Sequence, residues 1–392
     1  MKLNRLAVLT ATTVATALTL SACGGASLGG EESAADGPVK IGLLIPQSGV
    51  YKSLGDDLDA GFTLYLKEHG NKLGGREVEL IKADEGETAE TGRASAEKLI
   101  KQDQVLALSG VVSSAVLNGI VDLVEGEEVP LLGSNASPTT LTDAKYIRRT
   151  SYVNDEPGKA LGSYMAENVK GPVYALAADY QAGYDEVEGF KETFAPAGGE
   201  LADEVYSPFP ATTNFQPYLA NAQKAKPGAV FSFYAGGAAI DYAKQYSQFG
   251  LSDNIPLYAP GFRTEGGVLA AQGDAALGIR TSMNYSPDLD NATNKEFVAA
   301  YEKEFERTPT AYAVYSYDAA AILDKAIEEA GDDLTRETLN TAIGEVGAVD
   351  SPRGEWEFNE GGTPKQKWYL REVKKVDGKL ANVVIGDLPE LG

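Results

Sequence analysis

The sequence predicts an α/β protein built as two doubly wound, parallel-sheet lobes, and three observations predict it. Short apolar runs alternate with amphipathic stretches through most of the chain. The alternation falls into two comparable sets, one before residue 150 and one over 172–285. At 392 residues the chain is long enough for two ordinary cores.

The apolar runs lie at 40–45, 78–83, 105–109, 130–132, 173–178, 229–234, 256–259 and 279–284. Runs of strand length separated by helical patterns mark βαβ units, whose parallel strands are buried on both faces. Between the first two, Leu54, Leu58, Phe62 and Tyr65 recur at spacings of four, four and three, while Lys52, Asp56, Asp59 and Lys67 fall elsewhere on the wheel. That segment is a core-facing helix. Comparable helices are expected over 88–101, 114–124, 157–168, 185–194, 215–225, 238–249, 291–305 and 312–330. After residue 284 two long helices follow without a strand, and then a β-rich tail at 356–358, 367–373 and 383–385. Such a tail implies a chain that recrosses between the lobes through a hinge of several crossovers. The expected organisation is 38–154 with 286–348 as the first lobe and 155–285 with 349–386 as the second. Loops gather at the carboxyl ends of the strands in such lobes, and the cleft between them is the default ligand site.

Composition removes several classes of function. A net charge of −23 sets most of the surface against a polyanion, so nucleic acid is not an expected partner. One cysteine and one histidine leave no disulfide framework, no zinc cluster and no Ser-His-acid triad unless His69 supplies the base. No GxSxG, Walker A or GxGxxG pattern occurs, and no cofactor or metal is implied. Asp288, Asp290 and Asn291 lack the glycine and glutamate of a calcium loop and fit a helix N-cap better. His69 and Gly70 suit a helix C-terminus.

Residues 1–22 carry Lys2 and Arg5, an apolar run over 6–20 and then small residues, the layout of a secretory signal too short to span a bilayer as a helix. Leu20-Ser21-Ala22-Cys23-Gly24 resembles a bacterial lipobox, which implies that Cys23 is lipidated and that cleavage falls just before it. Residues 23–37 are rich in Gly, Ser, Ala and Glu and read as a flexible leash. The expected location is the extracytoplasmic face of the cell membrane, held by the lipid.

Two strand-to-helix loops gather hydroxyls and backbone amides: Ser109-Gly110-Val111-Val112-Ser113-Ser114 and Gly133-Ser134-Asn135-Ala136-Ser137-Pro138-Thr139. A helix N-terminus there favours an anionic group by ~0.3–1 kcal/mol, and a carboxylate is a plausible guest. Helix capping and turn formation are the alternative duty of the same side chains.

The order and spacing of several motifs make the chain resemble a known family. They are Ile41-Gly42-Leu43-Leu44-Ile45-Pro46 with Ser48, Gly49, Gly55 and Gly61; Leu108-Ser109-Gly110-Val111-Val112-Ser113-Ser114; Val129-Pro130-Leu131-Leu132; Asp179-Tyr180-Gln181-Ala182-Gly183-Tyr184; and Tyr312-Ala313-Val314-Tyr315-Ser316-Tyr317-Asp318-Ala319-Ala320. Together they resemble the leucine/isoleucine/valine type of periplasmic binding protein, the extracellular receptor of ABC importers, over residues 39 to about 385. The resemblance implies the type I periplasmic binding protein fold, a small carboxylate ligand and an ABC permease partner. It also implies that the loops holding Ser113, Ser114, Asn135, Ala136 and Ser137 grip the ligand carboxylate, with Ser137 in the hydroxyl position. Tyr184 matches the aromatic that closes from the second lobe and Tyr51 the side chain that covers the ligand, and Ala235, just after the run at 229–234, is a further candidate ligand-binding residue.

One departure bears on the ligand. Amino-acid binders of the family carry an acid after the strand at 256–259, where this chain has Phe262 and Arg263, with Glu265 displaced. A buried ammonium without a partner costs several kcal/mol, so a ligand without an α-amine suits Phe262 and Arg263 better, and the ligand class stays open between an amino acid and an aromatic or aliphatic acid. The tail around Arg353 and Arg371 is similar to the branch of the family that takes aromatic and other carboxylic acids, although both arginines also suit structural ion pairs. A sensor of the same fold without transport is the alternative function. An esterase or amidase using Ser113 or Ser137 lacks a convincing base.

Overall fold

The computed structural model describes residues 37–141 and 143–392. The expected signal at 1–22, Cys23 and the leash up to residue 36 lie outside the described residues. Among the described residues no helix is long and apolar enough to cross a membrane.

The first sheet is built from β1 (Val39–Ile45), β2 (Lys72–Leu73), β3 (Arg76–Asp84), β4 (Ala107–Gly110), β5 (Leu131–Gly133) and β6 (Ile147–Arg149) in the order β2-β3-β1-β4-β5-β6. β1 lies between β3 and β4, parallel to both, with Ile41 opposite Leu80 on one side and Ala107 on the other. Its residues are almost wholly buried, as a strand covered on both faces must be. The periodic segment after it forms α1 (Lys52–Glu68), which His69 caps at its C-terminal end. α1 packs closely on α10 (Ala311–Ala330), because a Cβ on Gly61 would overlap the Ala313 carbonyl oxygen.

The exit from β4 positions the site. Gly110 has φ +112° and its amide plane lies so close to β1 that a Cβ there would overlap the Leu44 carbonyl oxygen. Val111 follows at φ +65°, a strained conformation for a β-branched residue, and its amide donates to Leu44 at 2.7 Å. The chain therefore turns sharply at the sheet edge and starts α3 (Ser114–Gly126) there, with Ser113 as N-cap.

The second sheet contains β7 (Val173–Asp179), β8 (Leu201–Pro208), β9 (Ala229–Phe233), β10 (Leu257–Pro260), β11 (Arg280–Met283), β12 (Glu357–Phe358) and β13 (Pro364–Val376) in the order β12-β13-β11-β10-β9-β7-β8, with β14 (Lys379–Leu391) on β13. β7 to β11 pair in parallel, and β13 joins β11 antiparallel, with Thr281 opposite Arg371. α4 (Glu156–Asn168) and α5 (Gln181–Phe194) cover one face so closely that a Cβ on Gly158 or Gly189 would overlap backbone of the other helix or its approach. α9 (Ala292–Phe305), capped by the Asn291 side chain on the Asn294 amide, belongs with α1 and α10, confirming the capping duty of Asn291. The other α-helices among the described residues are α2 (Ala89–Glu97), α6 (Gln216–Ala225), α7 (Gly236–Gln248), α8 (Gly266–Gln272) and α11 (Arg336–Gly344).

The chain thus passes between the sheets three times, after β6, after β11 and before β12. One carbonyl ties the passages together: Ser151 accepts from Asn284 Nδ2 at 3.0 Å, Arg353 Nη1 at 3.1 Å and Gln366 Nε2 at 2.8 Å. Arg353 also pairs with fully buried Asp318 at 3.1 Å, which accepts from Ser351 and Trp356 as well. Arg371 pairs with Glu265 at 2.6 Å. Both arginines are structural ion-pair members.

Candidate functional site

Loops from both sheets enclose a narrow, tightly closed cavity with a free volume of about 20 Å³. Six residues expected at the site line it: Tyr51, Ser114, Asn135, Ala136, Ala235 and Phe262. Six of the fifteen wall residues are aromatic. Tyr152 packs on Phe262 at 4.9 Å between centroids, and Phe262 in turn lies 6.2 Å from Tyr312 and 6.4 Å from Phe233. Tyr180, stacked on Phe209 at 4.4 Å, completes it.

The polar groups converge at the start of α3. Asn154 Nδ2 donates to Ser114 Oγ at 2.9 Å and to Asp185 at 3.1 Å, so the Ser114 hydroxyl, already an acceptor, has its own hydrogen to donate. Asn135 is held by Tyr152 Oη on its oxygen at 3.1 Å and by the Val112 carbonyl on its nitrogen at 3.0 Å. These are neutral donors at a helix N-terminus, a setting that favours an anion. Glu186 is the one carboxyl on the wall, and no lysine or arginine joins it among the described residues.

The cavity is shut by contacts between the loops of the two sheets. Tyr51 and Tyr180 share a hydrogen bond at 3.2 Å. Thr139, beyond β5, donates its hydroxyl at 2.6 Å and its amide at 3.2 Å to Asp185 on α5. Gly236, with φ +55°, meets the chain at Val50, whose carbonyl oxygen a Cβ there would overlap.

Four expected residues lie off the wall, each for a physical reason. The Ser113 amide, with that of Val112, donates to Glu85 at 2.9 and 2.8 Å, so an internal carboxyl occupies it. Burial pushes the Glu85 carboxyl up to about 8 against the pull of those two amides. Ser137 is fully buried, its amide held by Asn154 at 3.2 Å and its hydroxyl without a partner. Tyr184 is 40 % exposed, donates to Asp179 and packs on Tyr206, so Tyr180 rather than Tyr184 is the aromatic that reaches the cavity from the second sheet. Arg263 turns into the protein, where Nη2 donates to Ser232 Oγ at 2.6 Å and the guanidinium lies 4.5 Å over the Tyr242 ring. Burial lowers its pKa to about 10, and it has no carboxylate partner.

A model of the periplasmic binding protein family matches residues 38–379. The chain belongs to that family. This periplasmic binding protein is 35 % identical to an R. palustris ABC-transporter solute-binding protein solved in complex with benzoate, over 91 % of this chain and 98 % of that one, with a TM-score of 0.84. It is 32 % identical to a solute-binding protein of Rhodopseudomonas palustris BisB5 solved with 3,4-dihydroxybenzoic acid, covering 91 % and 98 % of the two chains with a TM-score of 0.85. A curated relative, Leu/Ile/Val-binding protein homolog 6 of Brucella melitensis, is 29 % identical over 86 % of this chain and 88 % of its own. The family comprises extracytoplasmic solute receptors, so the protein is a solute-binding protein and not an enzyme.

Sequence reasoning missed Tyr152, Asn154, Tyr180, Glu186, Phe233 and Tyr312 as wall residues. Tyr180 and Tyr312 stood in motifs already singled out. For Glu186 the signal was periodicity: Ala182, Glu186 and Phe190 share one face of α5, so a carboxylate sits on an apolar stripe.

Proposed function

We propose that this periplasmic binding protein captures a small aromatic carboxylate in the cavity and delivers it to an ABC permease, tethered by lipid on Cys23 to the outer face of the cell membrane. Residues 38–154 with 286–348 and residues 155–285 with 349–386 form the two closing lobes. The observation that carries this reading is the wall itself: six aromatic rings, neutral donors at the start of α3, and no cation among the described residues. The acid an amino-acid binder needs beyond β10 is not available, because Glu265 pairs with Arg371 at 2.6 Å and accepts from the Ala311 amide at 3.1 Å. The benzoate and dihydroxybenzoate complexes of the R. palustris relatives support the same ligand class. Ligand stabilises the closed form because it touches both lobes only there.

The Brucella relative's name favours a branched-chain amino acid as the second reading. Unfolding and refolding the protein to strip carried-over ligand, then screening benzoate, hydroxybenzoates, phenylalanine and leucine by thermal shift, separates the two. Benzoates should raise the melting temperature, and a shift with leucine but none with any benzoate overturns the proposal. Mass spectrometry of membrane-extracted protein should find diacylglycerol on Cys23 and none after Cys23→Ser. Deleting the gene should abolish uptake of the ligand that the screen identifies.

A further inference from the structure

The wall carries one group that the gripping of a carboxylate leaves unused. Glu186, on the second turn of α5, is 1 % exposed and faces the cavity. The Gly158 amide bonds to its carboxyl and fixes it, while Oε2 has no partner among the described residues. A buried carboxyl oxygen left unpaired is destabilising, and a ligand able to bond to it would relieve that.

We infer that Glu186 meets a hydroxyl substituent on the ring of the bound aromatic acid and so sets which aromatic acids the protein prefers. The inference rests on the aromatic-carboxylate reading above and adds the second polar contact to it. Glu186 belongs to α5 and the grip on the carboxylate to the start of α3, so a ligand with polar groups at both ends spans the two lobes. The surroundings of the group facing that hydroxyl favour its protonated form. Burial first, then the charges of Asp155, Asp185 and Glu156, push its carboxyl well above the usual range, and no ion pair holds it charged. A neutral carboxyl both donates and accepts, as a phenol does, and it does not repel the carboxylate at the other end. An ammonium fits less well, since it brings three N–H donors to one bare oxygen among aromatic rings.

Calorimetry with benzoate, 3- and 4-hydroxybenzoate, 4-methylbenzoate, phenylalanine and leucine tests this on the ligand-stripped parent protein, Glu186→Gln and Glu186→Leu. The parent should bind one hydroxybenzoate at least about 10-fold more tightly than benzoate, because a site built to bond a hydroxyl rejects the analogue without it. Glu186→Leu should bring that ratio near one. Glu186→Gln, which keeps a donor and an acceptor, should retain most of the preference. If Glu186→Leu fails to fold, the ligand series decides on the parent alone: 4-methylbenzoate should bind no better than benzoate. A ratio unchanged by Glu186→Leu, or a parent without preference between benzoate and its hydroxylated forms, overturns the role of Glu186 and leaves the aromatic reading standing. Binding of leucine or phenylalanine in preference to every benzoate overturns both.

Discussion

Ser114→Ala tests the grip on the carboxylate most directly. The hydroxyl lines the cavity at the first residue of α3, and it accepts from Asn154 Nδ2 at 2.9 Å, which leaves its hydrogen free to donate to a guest. A hydrogen bond to an ionised group contributes about 1.5–3 kcal/mol, so the variant should bind benzoate about 10- to 150-fold more weakly. Binding should not vanish, because the helix N-terminus remains and contributes ~0.3–1 kcal/mol. The same change costs stability without ligand. Asn154 Nδ2 keeps Asp185 at 3.1 Å but loses its second acceptor, and a buried N–H without a partner costs about 1–3 kcal/mol. Isothermal titration gives the affinity, and thermal unfolding without ligand gives the stability. Ser114→Thr restores the hydroxyl and should return the affinity to within about threefold. A Ser114→Ala protein that binds benzoate within twofold of the parent refutes the assignment of the carboxylate to the start of α3.

Three further outcomes follow from the geometry. Gly236→Ala places a methyl group on the Val50 carbonyl oxygen at a φ of +55°, so it should hold the lobes apart; small-angle scattering should show a larger radius of gyration with ligand present, and affinity should fall at least about 10-fold. Arg263→Met removes a guanidinium that lies off the cavity wall, so affinity for benzoate should stay within about threefold by titration, while a larger loss returns Arg263 to the site. Glu85 keeps its proton up to about pH 8 when folded against an ordinary 4.5, so between those values only the folded state holds the proton and stability falls as pH rises, by up to about 1.4 kcal/mol per unit. Urea unfolding at pH 5, 6.5 and 8 should show this fall, and Glu85→Gln should flatten its share of it.

The fold was largely legible, because parallel strands buried on both faces are continuous apolar runs that announce themselves. The strands that escaped are those at edges. β6 is three residues with two arginines, and β8 carries Asp203 and Glu204 on a partly exposed edge where no apolar run is required. The site was legible in its loops and less so in its side chains. Tyr180 and Tyr184 stand four residues apart around the start of α5, and a motif cannot tell which faces the cleft, since Tyr180 is still extended (φ −164°, ψ 174°) while Tyr184 is already helical. Ser113 looked like a donor to ligand because nothing in the linear sequence places the Glu85 carboxyl against its amide. Arg263 looked like a specificity residue because it stands about where amino-acid binders carry their acid, and nothing in the linear sequence places its guanidinium over the Tyr242 ring.

The closing contacts have a consequence for speed. With Tyr51 bonded to Tyr180 and Thr139 bonded twice to Asp185, a guest leaves only when those bonds break, so its residence time is governed by the unlatching of the protein as well as by its own fit. Each added bond across the seam would sharpen capture from dilute surroundings and, in the same measure, slow the surrender of cargo to whatever receives it. Throughput therefore sets an upper bound on how firmly these lips should seal.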